Sequence, residues 1–112
     1  MTKDEFMKVC EVVADLVAMK HEDYQAGQAQ LGDYFPFHNY SYVQMIWVKT
    51  LRLLSLTKKN ADGRSPNFEG IADTSKDLLA YTVFYLAYLL SKNKQKALGA
   101  ENQAIQQKEP RT

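Results

Sequence analysis

One cysteine in 112 residues removes the disulfide-stapled scaffolds at the outset. Cys10 has no internal partner, and its place on the apolar side of the first helical segment reads as a buried structural thiol in a reducing compartment. A basic run is missing too. Lys and Arg number 14 against 13 Asp and Glu, a formal net charge of +1, so no nucleic-acid polymer is an expected partner. No apolar run is long enough for a membrane span, since the longest, at residues 78–90, is short and tyrosine-rich. The opening Thr2-Lys3-Asp4-Glu5 mixes charges instead of leading into a signal core. There is no Gly-rich phosphate loop and no recognisable Ser/His/Asp or Cys/His pairing. His21 and His38 lack a spaced partner for zinc. The expectation is a soluble, cytoplasmic protein without a membrane partner.

What is present is a helical pattern. Apolar residues make up 46% of the chain, enough for one domain's core. Phe6, Val9, Cys10, Val13, Leu16, Val17 and Tyr24 recur at helical spacing, and Thr2-x-x-Glu5 forms a capping box at their start. A second helix is predicted from Asn39 or Ser41, with Ser41-x-x-Gln44 as its capping box, to about Asn60. Residues 60–66 read as a loop, with Ser65-Pro66 suited to an N-cap and first helical position. The third helix is predicted from Asn67 or Asp73 to about Lys92, Thr74-x-x-Asp77 offering a later start. The fold class is therefore all-α: a bundle of three long helices in one domain over residues 1–92. A polar tail follows over 93–112, with an exposed helix expected over 93–105 and disorder after it. The second helix is apolar around most of its circumference, more than a three-helix monomer covers. A homo-oligomer is expected, with any ligand site at or near a subunit boundary.

Several charges sit where apolar residues should. On the second helix Lys49 shares a face with Tyr42, Met45, Leu53 and Leu56, and Arg52 lies at the edge of that arc. On the third, Asp77 falls among Tyr81, Phe84 and Tyr88, with Asp73 one turn earlier. Lys20 intrudes on the apolar arc of the first helix in the same way. Burying charge is costly without a partner, so these groups pair, bind a ligand, or do both. The acids allow a metal reading as well. Glu69, Asp73 and Asp77 at i, i+4 and i+8 line one side of a continuous third helix and would suit Mg²⁺ with a substrate phosphate. Pairing with Lys49 and Arg52 is the plainer role for them. The acids Asp4, Glu11, Asp15 and Glu22 lie within about 40° of arc opposite the apolar face, and read as solvated. The connection at residues 27–40 gathers Tyr34, Phe35, Phe37, His38 and Tyr40 around Pro36. It reads either as an aromatic plug or as a stacking wall for a planar base, in which Phe35 and His38 would take part.

The run Met45-Ile-Trp-Val-Lys49-Thr-Leu-Arg52-Leu, then Asn67-Phe-Glu-Gly-Ile-Ala-Asp73, then Asp77-Leu-Leu-Ala-Tyr81, resembles the phage nucleotide-modification-associated domain family. The resemblance spans about residues 20–90. It implies an all-α fold similar to the MazG-like nucleoside triphosphate pyrophosphatases, a small nucleotide ligand, a phage source and hence host cytoplasm, and a site at Lys49, Arg52, Asp73 and Asp77 with Tyr81 beside them. The sequence departs from the hydrolases in one respect. Their Glu-Glu-x-x-Glu, which holds Mg²⁺, is absent here, and with it the simplest supply of metal and positioned water. Two functions follow as expectations: a protein that sequesters a small signal nucleotide of host immunity, cyclic or otherwise modified, without cofactor, or a Mg²⁺-dependent pyrophosphohydrolase using Glu69, Asp73 and Asp77. A structural helical module with buried ion pairs is the third.

Overall fold

The computed structural model describes the backbone of residues 1–61 and 68–108 and the side chains of residues 1–59 and 70–99. Its described residues form three α-helices and one short 3-10 helix, with no strand among them. α1 spans Lys3–Tyr24. It starts where expected: Thr2 is extended, and the Glu5 N–H donates to its Oγ1 at 3.2 Å. Asp4 and Glu5 at the first turn and His21 at the last complement the helix dipole.

After α1 the chain makes a single 3-10 turn at Leu31–Tyr34, pinned where the Gln30 N–H donates to Asp33 Oδ2 at 2.8 Å. α2 then runs Asn39–Ala61. Ser41 is not its cap. The helix is already under way there, and the Ser41 hydroxyl turns back to accept from the Phe37 N–H at 2.8 Å. The turn into α2 is made by His38, which takes a positive φ of 55°. Its carbonyl accepts the N–H groups of Ser41 and Tyr42 at 3.0 and 3.3 Å.

α3 is one helix from Phe68 to Lys108. Thr74, offered by the sequence as a second start, is buried inside it instead. The helix crosses residue 92 without a break, covers the expected C-terminal helix at 93–105, and continues through 106–108, which were expected to be disordered. The expected loop and Ser65-Pro66 cap fall outside the described residues, except for the end of α2 at residues 60–61.

Lys49 meets Asp77 while Tyr42 meets Tyr85 and Tyr88, so α2 and α3 run antiparallel. α1 joins them mainly through its second half, where Val13, Val17 and Tyr24 reach the core. That core is small: Val17, Phe35, Tyr42, Ala80 and Phe84. Phe35, only 3% exposed, stacks on Tyr42 with ring centroids 4.0 Å apart and planes 11° from parallel. The aromatic connection is thus a plug through Phe35, while Phe37 and Tyr40 point into solvent. Cys10 is exposed, not the buried thiol expected, because α3 faces the first half of α1 across an open hollow instead of packing against it.

The molecule is elongated, 78 × 36 × 27 Å, with a radius of gyration of 20.0 Å, where a compact chain of this length would have about 13 Å. The cause is α3, whose 41 residues extend about 60 Å at 1.5 Å per residue. The other two helices, of 22 and 23 residues, cover little more than half of that. Among the described residues no helix is long and apolar enough to cross a membrane.

Candidate functional site

Each helix places one charged side chain at a common point. Lys20 of α1 sits with its Nζ 2.5 Å from Asp77 Oδ1, and Lys49 of α2 with its Nζ 3.3 Å from Asp77 Oδ2. Asp77, on α3, thus has both oxygens engaged. Lys20 and Lys49 occupy apolar arcs because their long stems cover core surface while the ammonium reaches the edge. The side chains remain 33%, 22% and 29% exposed for Lys20, Lys49 and Asp77. Burial alone would raise the Asp77 carboxyl, but the hydrogen bonds and charges of Lys20 and Lys49 outweigh it and hold it below the ordinary carboxylate range. Two ammonium groups on one carboxylate leave a formal positive charge, half-open to solvent.

One turn further along both α1 and α3, Tyr24 and Tyr81 bring their hydroxyls within 3.1 Å. Burial, then the bond to Tyr24 and the negative charge nearby, push the Tyr81 phenol well above its ordinary range, so it stays a neutral hydroxyl. Tyr34 meets the Tyr24 ring edge-on at 4.8 Å. A hollow of about 350 Å³ opens beside the cluster, lined by Lys20, Asp23, Tyr24 and Tyr34. This is within the size range of small-ligand sites. A larger hollow of about 810 Å³ lies between α1 and α3, but its lining is mostly apolar and includes neither Lys20 nor Asp77.

The other residues expected at the site lie elsewhere. Arg52 and Asp73 are both exposed, and among the described residues neither makes an ion pair. The inward charges are therefore Lys20, Lys49 and Asp77, and not the four of the Lys49, Arg52, Asp73 and Asp77 set. Arg52 lies about 60° around α2 from Lys49, outside the cluster of Lys20, Lys49 and Asp77. Phe35 is core: Tyr42 covers one face, and Tyr81 lies at 6.2 Å in an edge contact. It backs Tyr81 and offers no open face to a base. His38 is exposed and stacks on Tyr88 at 6.1 Å. Tyr88 is eleven residues along α3 from Asp77, about 16 Å by helix rise, so His38 belongs to a different part of the surface. The side chain of Glu69 lies outside the described residues. Among those described, no three His, Cys, Asp or Glu side chains converge as a metal site. Asp77 is already shared by two ammonium groups, which a cation there would have to displace.

Sequence reasoning had placed Tyr24 only in the core arc and missed its hydroxyl contact. A signal existed: Lys20/Tyr24 and Asp77/Tyr81 are both i, i+4 pairs, each a charge followed by a phenol on an inward face. What the fold and site define is an all-helical protein with a half-buried cationic cluster flanked by phenols. Compared with protein-family models, curated proteins and solved structures, the chain finds no match.

Proposed function

We propose that this chain binds the phosphate of a small nucleotide at Lys20 and Lys49 and holds the ligand uncleaved. The observation that supports the reading best is the convergence of two lysines from different helices on the single carboxylate of Asp77. A structural pair needs one base for one acid. The second ammonium leaves a surplus charge in a partly desolvated place, where an anion gains more than it would in bulk water. Asp77 keeps both ammonium groups in position, and an incoming phosphate shares them without a large rearrangement. The 350 Å³ hollow bounded by Tyr24 and Tyr34 gives a base an aromatic wall next to that charge. The resemblance to the phage nucleotide-modification family supplies the further proposal that the ligand is a signal of host immunity, linear or cyclic, removed by sequestration.

The test is native purification followed by native mass spectrometry and titration with a panel of linear and cyclic nucleotides. A nucleotide that binds, that Lys49→Met loses, and that is recovered unchanged supports the reading. If no member of the panel binds a folded protein, and inorganic phosphate does not either, the cluster is a structural ion-pair group and the proposal falls.

A further inference from the structure

α3 has two apolar sides, and the described residues pack closely against only one of them. Asp77, Tyr81, Phe84 and Tyr88 face α1 and α2. About 160° around the helix from them at 100° per residue, Leu79, Val83, Leu86 and Leu90 are 41%, 37%, 54% and 60% exposed, and Leu79 and Val83 also border the open hollow shared with α1. Their spacing alternates four, three and four, which is the spacing of a coiled-coil seam. A helix apolar on both sides is buried on both sides in its working state. The small core and extended shape point the same way: a chain this unburied needs a partner whenever it is made, and a second copy is always present in equal amount.

We infer that the protein is a homodimer in which the Leu79–Leu90 seams of two α3 helices pair antiparallel. The flanking residues fix the direction. Centred between Val83 and Leu86, an antiparallel pair sets Leu79 against Leu90 of the second copy and Val83 against its Leu86. Lys76, at the next seam position, then meets the second copy's Asn93. A parallel pair would instead oppose the two Lys76 ammonium groups inside the seam. The same antiparallel register brings Asp73, exposed and without an ion pair among the described residues, alongside Lys94 of the second copy. This happens twice by symmetry. The exposed apolar residues Phe6 and Val9 of α1 flank the trough beside this seam and extend the surface available to the dimer. Because Asp77 faces away from the seam, the proposed pairing leaves the cationic cluster off the subunit boundary. Dimerisation and nucleotide binding can therefore fail separately.

Light scattering of the full chain at micromolar concentration is expected to give twice the 12.8 kDa chain mass. Leu86→Lys with Leu90→Lys is expected to reduce it to the single-chain mass. Should that variant not fold, cysteine pairing reads the same interface. In a Cys10→Ser background, Leu79→Cys with Leu90→Cys is expected to form a covalent dimer on mild oxidation, and Leu79→Cys alone is not. Asp73→Lys is expected to weaken the dimer by about 3- to 25-fold, the value of two exposed charge pairs, and adding Lys94→Asp to restore it. A monodisperse monomer overturns the proposal, as does a covalent dimer from Leu79→Cys alone, which marks parallel pairing. A monomer carrying an apolar small molecule or another protein's helix in native mass spectrometry also overturns it.

Discussion

Tyr24 and Tyr81 meet hydroxyl to hydroxyl at 3.1 Å, one helical turn beyond the Lys20–Asp77 ion pair. The two contacts form a short ladder that fixes the rotation of α1 on α3. Each phenol also lies on a path from solvent to the core: Tyr81 contacts Phe84 and Phe35, and Tyr24 contacts Phe84. The polar rungs and the aromatic core are therefore one structure.

That ladder predicts a sub-additive mutant cycle. Tyr24→Phe or Tyr81→Phe alone strands the other hydroxyl and is expected to cost about 1 kcal/mol. The double variant is expected to cost no more than either single one, because both polar ends are gone. Urea unfolding monitored by circular dichroism gives the comparison, and fully additive losses would mean the hydroxyls do not interact.

Removing the charge of Lys49 is predicted to cost little stability and much binding. With Lys49→Met the stem remains and Lys20 still satisfies Asp77, so folding is expected to drop by only about 1–2 kcal/mol. Nucleotide affinity is expected to fall at least tenfold. Collapse of Lys49→Met with rescue by Asp77→Leu would instead assign the cluster a purely structural role.

Removing the plug has a larger predicted cost. Phe35 fills the space between Tyr42 and Tyr81, and Phe35→Ala is expected to cost about 3–5 kcal/mol. Against a core of five buried apolar side chains, that loss should abolish the cooperative thermal transition. A variant melting within a few degrees of the parent would show that the connection is not part of the core.

Two pH dependences follow from the site. The folded Asp77 carboxyl is held below its unfolded value, so its stabilisation is present above about pH 4 and is lost as pH falls through the folded value. Asp77→Asn should flatten the acid limb of a stability–pH curve. Tyr81 is shifted upward, so its contribution is full below about pH 10 and is lost as the solution becomes more alkaline. Tyr81→Phe should flatten the alkaline limb.

Binding is predicted to survive EDTA, since in the proposed mode the phosphate is met by the two ammonium groups and not by a divalent cation. Chromatography after incubation with Mg²⁺ or Mn²⁺ should return the nucleotide intact. Release of pyrophosphate or a monophosphate that depends on metal and disappears in Asp73→Asn would make the protein a pyrophosphohydrolase.

The pattern of residues by itself determined the all-α class, the Thr2 cap, the approximate span of α2 and the inward placement of Lys49, Asp77 and Lys20. These follow from local spacing, because a charge on an apolar arc is visible wherever the helix goes. Tertiary structure decided which charges meet. Arg52 and Asp73 lie about one turn along from Lys49 and Asp77 on nearly the same faces, and only the crossing of α1, α2 and α3 selects Lys20 over Arg52 as the second base on Asp77. It likewise turned Phe35 inward and His38 outward within one short connection, through the positive φ at His38 and the Ser41 bond to Phe37. Cys10 shows the converse: its apolar arc is real, but an arc becomes a buried face only where another helix covers it, and among the described residues none packs against the first half of α1.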